Sequence, residues 1–154
     1  MTAFARYWLP PLGWMAVIWG LSTNIGSADN TAGLFVWLVS RLFPWATPAQ
    51  IAFSHGLLRK LGHLTEYAIL AALWFRALYS ERRLQSAPSA WTALAVSVAW
   101  AGADELHQTF VPSRTASPLD VLLDATGATL ATLTAHVLMT AKRALPRPSP
   151  PSSD

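Results

Sequence analysis

Asp104, Glu105, His107, Gln108 and Arg114 fall within eleven consecutive residues, Asp104-Glu105-Leu106-His107-Gln108-Thr109-Phe110-Val111-Pro112-Ser113-Arg114, and two further acids follow at Asp120 and Asp124. Carboxylates, an imidazole, an amide and a guanidinium are groups that exchange protons, hold cations and grip phosphates or carboxylates. Their surroundings make them conspicuous. Only 12% of the chain is charged, about half the ~25% of a typical soluble domain, and apolar runs flank the stretch on both sides. An ionised side chain at the centre of a membrane helix costs roughly 2.5–3.5 kcal/mol on insertion scales. The rest of the chain therefore reads as a scaffold that holds this stretch at a membrane boundary.

Composition agrees. The 154 residues are 53% hydrophobic, with eight Trp and no Cys, and the mean hydropathy is +0.33. Long apolar runs with so few charges point to an integral membrane protein in a lipid bilayer. The pI near 9.8 invites a nucleic-acid reading. The net charge is only +3, however, and the basic residues sit in short segments between apolar runs. That is a membrane-topology pattern, so no nucleic-acid partner is expected. The absence of Cys excludes disulfides, thiolate metal sites and a Cys nucleophile.

The elements that must position the polar stretch are helices. The expected fold is an all-α, polytopic four-helix transmembrane bundle, a single domain over residues 1–140, with spans at about 10–27, 61–79, 89–110 and 118–140. Pro10 and Pro11 suit a helix start. A signal peptide is the rival reading of the first run, but Trp14, Trp19 and Asn24 make a poor signal core and cleavage site. Leu34 to Phe43 is apolar but short, roughly half a bilayer as a helix. It reads as an interfacial or re-entrant helix in the first outer loop. Thr47-Pro48-Ala49-Gln50 fits a capping box that starts a helix running toward Lys60. Pro112 stops the third span, and Ser117-Pro118-Leu119-Asp120 caps the fourth. The Pro/Ser-rich segment 141–154 is expected to be a disordered cytoplasmic tail.

Lys and Arg set the orientation. Arg6, Arg76, Arg82, Arg83, Lys142, Arg143 and Arg147 fall on one side of this arrangement, and Arg41, Arg59, Lys60 and Arg114 on the other. The positive-inside rule then places both termini in the cytoplasm. Alternating spans bring Lys60, His63, Glu66 and Tyr67, then Asp104, Glu105 and Gln108, then Asp120 and Asp124, to one depth on the outer side. Lys60, His63 and Tyr67 stand at i, i+3 and i+7, and Asp104/Gln108 and Asp120/Asp124 at i, i+4. The acids Glu66, Asp104, Glu105, Asp120 and Asp124 outnumber the fixed cations Arg59, Lys60 and Arg114 by two. The excess calls for protonated carboxylates, water or an added cation.

The combination Lys60-x-x-His63-x-x-x-Tyr67, Asp104-Glu105-x-x-Gln108-x-Phe110-x-Pro112-x-Arg114 and Asp120-x-x-x-Asp124-x-x-Gly127, with Ser22 near the end of the first span, resembles the VanZ-like family of small bacterial membrane proteins. The resemblance runs from about Trp14 to His136. Two positions depart from it: the family pattern has Asn where this chain has Asp124, and a second Gly where it has Ala131. The resemblance implies a multi-pass protein of the bacterial cytoplasmic membrane with a cell-envelope role. The family's namesake is associated with low-level resistance to glycopeptide antibiotics such as teicoplanin.

Three functions compete. In the first, an outward pocket of Lys60, His63, Tyr67, Asp104, Glu105, Gln108, Arg114, Asp120 and Asp124 engages a lipid-linked or peptidoglycan-related envelope component, with the cations holding its phosphate or carboxylate. In the second, the same residues act on such a ligand as an enzyme, with His63 or a carboxyl as general acid/base. The third is a metal site of His63, Asp104, Glu105 and Asp120 for Mg, Ca or Mn. It ranks last, because no two His stand at ligand spacing, and no cofactor is expected. A transporter is disfavoured, because polar groups on one side alone give no path across unless the protein oligomerises. Against all of these stands a polar network that only fixes helix packing. In that reading Asp120 merely caps a helix, Gly127 marks a close crossing, and His55, His107 and His136 are isolated boundary residues.

Overall fold

The computed structural model describes residues 3–24, 27–81, 85–114 and 116–144. These residues form six helices and no strand: α1 (Ala3–Tyr7), α2 (Leu9–Leu21), α3 (Ala28–Leu42), α4 (Pro48–Glu81), α5 (Ser86–Gln108) and α6 (Pro118–Ala144). The all-helical expectation holds. By length and composition, α6 is the one described helix long and apolar enough to cross a membrane, while Leu9–Leu21 and Thr31–Leu42 are shorter apolar helices.

Local chemistry accounts for the boundaries. At the start of α4 the Thr47 N–H donates to Gln50 Oε1 at 2.9 Å, and the Gln50 N–H donates to Thr47 Oγ1 at 3.3 Å. This is the reciprocal capping box that Thr47-Pro48-Ala49-Gln50 predicts. The helix then does not stop at Lys60. It continues to Glu81 for 34 residues, about 51 Å at 1.5 Å per residue, because no proline interrupts it and Arg and Lys are good helix formers. The expected cap helix and second span are thus one element. The short helix expected over 34–43 is also longer, Ala28–Leu42. At the N-terminus, the Trp8 N–H donates to the Phe4 carbonyl and the Leu12 N–H to the Trp8 carbonyl, so α1 runs almost directly into α2. The tail expected from 141 begins inside α6, and 145–154 lie outside the described residues, as do Arg82, Arg83 and Arg147.

Helix α4 is the central post, in contact with α1, α2, α3, α5 and α6. Its closest neighbour is α6, and Gly127 is the reason. A Cβ built there would run into the backbone carbonyl oxygen of Leu64, with the carbonyl carbon at 3.0 Å and Cα at 3.2 Å. Only glycine permits that crossing, as the close-packing reading of Gly127 anticipates. Helix α5 offers a stripe of small residues, Ser86, Ser89, Ala93, Ser97 and Ala101, which ends in buried Asp104, Glu105 and Gln108. The hydroxyls of Ser89 and Ser97 are satisfied by the carbonyls one turn back, at 3.0 and 2.8 Å. The helices therefore approach closely without orphaned serines.

Large apolar side chains close the core. Ile18, Tyr67, Leu70 and Ala101 form one cluster with Trp14, Met15, Trp74 and Trp100, and Phe75, Leu78 and Ala93 form a second. Trp14 Nε1 donates to the Glu66 carbonyl at 2.9 Å, tying α2 to α4. Trp19 stacks on His107 with ring centroids 4.1 Å apart, tying α2 to α5. Helix α3 touches only α4 among the described helices, held by His55, which lies 3.2 Å from Thr31 Oγ1 and packs on Phe35.

Candidate functional site

The polar groups of α2, α4, α5 and α6 meet at one end of the bundle. Asp104 is 2% exposed. It projects from α5 toward the C-terminal end of α2, where Ser22 Oγ donates to its Oδ2 at 2.6 Å. Gln108, one turn further along α5, donates through Nε2 to the same oxygen at 3.0 Å. A buried carboxylate is costly unless hydrogen-bonded, and these two donors hold one of its oxygens. The other, Oδ1, has no hydrogen-bond partner among the described residues.

A second pair crosses between α4 and α6. His63 Nδ1 stands 3.3 Å from Asp124 Oδ1. Neither atom makes an aligned hydrogen bond, so the contact is an ion pair only when the imidazole is protonated. Asp124 is also 2% exposed. The Asp124 carboxyl therefore faces an imidazole rather than an apolar wall. The Tyr67 hydroxyl is buried and unpartnered beside these groups. Leaving such an atom unsatisfied costs about 1–3 kcal/mol. The site thus holds four buried polar atoms, on His63, Tyr67, Asp104 and Asp124, with capacity to bond something further.

The segment joining α5 to α6 straps the site to α2. Glu105 Oε1 accepts from the Ser117 N–H. Ser113 Oγ bonds Asn24 Oδ1. Arg114 donates through Nη2 to the Leu21 carbonyl and through Nε to the Thr23 carbonyl at 3.4 Å. Its guanidinium thereby caps the negative end of the α2 dipole. It does not form an ion pair with Asp104, Glu105 or Asp120. Burial first, and the neighbouring Arg59 second, hold the Arg114 pKa below its ordinary value. Arginine nonetheless stays charged, and Asp104, Glu66 and Glu105 act in the opposite direction to Arg59.

A cleft of about 200 Å³ opens between these elements, lined by Leu21, Ser22, Thr31, Arg59, Gly62, His63, Glu66 and Arg114. Of the residues expected to form a pocket, His63 and Arg114 line it directly. Asp104, Gln108 and Asp124 lie behind as bonding partners, with Tyr67 and Glu105 buried nearby. Asp120 is half-buried in the first turn of α6. Lys60 is exposed, and Arg59 takes the place on the cleft that the sequence suggested for it. Ser22, Thr31, Arg59 and Glu66 complete the lining. Once α4 is known to run unbroken through this region, the spacing gives the signal: Arg59, Gly62, His63 and Glu66 stand at i, i+3, i+4 and i+7, one helix face. Arg59 makes no hydrogen bond or ion pair among the described residues. His136 faces a separate cavity of about 270 Å³ between α5 and α6. Among the described residues no three His, Cys, Asp or Glu side chains group closely enough to hold a metal ion.

No curated protein and no solved structure matches the chain. Residues 7–139 match the model of the VanZ/LLP1 family, a match over most of the length that includes every residue of the cleft, and the chain belongs to that family.

Proposed function

We propose that the chain is a multi-pass protein of the bacterial cytoplasmic membrane, a four-helix transmembrane bundle with both termini in the cytoplasm. Its cleft faces outward, binds an anionic cell-envelope component, and through it affects glycopeptide susceptibility of the teicoplanin type. The carrying observation is a set of buried carboxyl groups beside a cleft that two arginines line. Asp104 and Asp124 are inside, whereas Leu119 and Phe110 are 73% and 77% exposed. That arrangement suits a lipid exterior. Inside, Arg59 and Arg114 line one cleft, and a planar guanidinium is suited to gripping phosphate or carboxylate through two parallel hydrogen bonds.

Element lengths support four spans. Residues 3–21 of α1 and α2 cover about 28 Å and the 23 residues of α5 about 34 Å, against ~30 Å of hydrocarbon. What keeps α5 from qualifying by composition is its stripe of serines and acids, and those face inward. A second reading, acid/base catalysis on the same ligand, is favoured by the His63–Asp124 contact beside the cleft.

Two measurements test the proposal. A single cysteine in place of exposed Thr109 should react with an impermeant thiol reagent added to whole cells, and one in place of exposed Gln85 only after lysis; the reverse pattern would overturn the orientation. In cells exposed to teicoplanin, Arg59→Gln at wild-type membrane levels should behave like cells lacking the protein. Wild-type behaviour from that variant would remove Arg59 from the function.

A further inference from the structure

Three hollows lie in line along α3 and α4, and their chemistry changes from one end to the other. The first, about 500 Å³, is walled by Phe35, Val39, Phe43, Trp45 and Ile51 near the turn between the two helices. The second, about 380 Å³, shares Phe35 with the first and continues past Leu38 and Leu58. It in turn shares Thr31 and Arg59 with the polar cleft. The hollows thus adjoin one another as a track along α3 and α4, mostly apolar apart from His55, which contacts Thr31 and Phe35 in the middle one, and end at the cleft that Arg59 and Arg114 line. Helix α3 packs on no described helix but α4, so the track is not covered by the bundle. Over its 15 residues α3 is about 22 Å long, a run along which every methylene of a hydrocarbon chain gains from burial.

We infer that the groove between α3 and α4 takes the hydrocarbon chain of a phosphate-bearing membrane lipid whose headgroup lies between Arg59 and Arg114. The inference rests on the anion-binding reading of the cleft and specifies the form of the ligand: a membrane-anchored amphiphile, entering tail and head together, rather than a soluble envelope fragment. Order along the track is the reason. Apolar walls ending at paired guanidinium groups reproduce the tail-then-anion sequence of such a lipid. A helix of a second copy has no counterpart to that sequence. It would also leave Arg59, which makes no hydrogen bond or ion pair among the described residues, without the acceptors that a phosphate supplies.

The test uses the full chain in phosphatidylcholine vesicles with a minor share of phosphatidic acid, and p-benzoylphenylalanine in place of Trp45, an exposed aromatic that already lines the groove. On illumination the adduct should be phosphatidic acid, enriched roughly ten-fold over its share of the vesicle, the size of effect that one charge-assisted hydrogen bond produces. Arg59→Gln should abolish the enrichment. Binding of glycerol phosphate is measured in parallel by calorimetry. Val39→Trp, which fills the groove, should leave glycerol phosphate binding intact while cutting retention of phosphatidic acid. Adducts in proportion to bulk lipid, or a cross-linked pair of chains, would overturn the lipid inference. If glycerol phosphate still binds in that case, the anion-binding cleft stands without a lipid tail. If it does not bind, both readings fall.

Discussion

Ser22 donates to Asp104 across 82 positions of sequence, and the bond joins two helices through a buried carboxylate. Hydrogen bonds to charged groups contribute about 1.5–3 kcal/mol. Ser22→Ala should therefore lower stability by about that much in detergent melting, and an unchanged melting temperature would show that Gln108 alone satisfies Asp104. Gly127 makes the opposite demand, for no side chain at all. Gly127→Ala drives a Cβ into the Leu64 carbonyl, and the forced separation of α4 from α6 should cost on the order of 1–3 kcal/mol. Full stability of that variant would mean the crossing is looser than described. At this scale the sequence was partly legible. The i, i+4 pairs on α5 and α6 put Asp104, Gln108 and Asp124 on inward faces, where the structure has them. Lys60 and Arg59 are adjacent cations, and a choice between them needs the face defined by Gly62, His63 and Glu66, which becomes visible only once α4 is known to be unbroken.

At the scale of elements, short-range chemistry was readable and long-range docking was not. Pro48 with its capping box, and Pro118 at the head of α6, announce their helices. The second span was expected to begin at about 61, just after Arg59-Lys60, yet nothing in that dipeptide breaks a helix, and α4 runs straight through. The role of the Arg114 segment was hidden altogether, because its partners are backbone carbonyls of Leu21 and Thr23, which carry no side-chain signature. That strap yields a prediction. Arg114→Ala removes a cation from the negative end of the α2 dipole and should cost about 1–2 kcal/mol. Arg114→Lys keeps the charge without the planar donor fork and should recover part of that loss. Wild-type melting of both variants would mean that α2 is held by Trp14, Trp19 and Ser22 alone.

For the whole molecule, the burial pattern carries the account. Asp104, Glu105, Gln108 and Asp124 are buried beside an apolar core, many large apolar side chains face out, and the cleft next to the buried polar groups is lined by Arg59 and Arg114 with His63 and Glu66. Composition, with only 12% charge over 154 residues, pointed toward a membrane, which α6 is long and apolar enough to cross. It could not say which charges face one another, since that depends on how α2 and α6 meet α4. Arg59 separates binding from folding: it lines the cleft yet bonds nothing described. Arg59→Gln should therefore melt within about 0.5 kcal/mol of wild type. The most direct test of the central claim is native mass spectrometry of protein extracted from bacterial membranes, comparing wild type with Arg59→Gln. Wild type should retain a phosphate- or carboxylate-bearing envelope molecule, and the variant should lose it at unchanged stability. The same anionic adducts on both proteins, or none on either, would contradict the account.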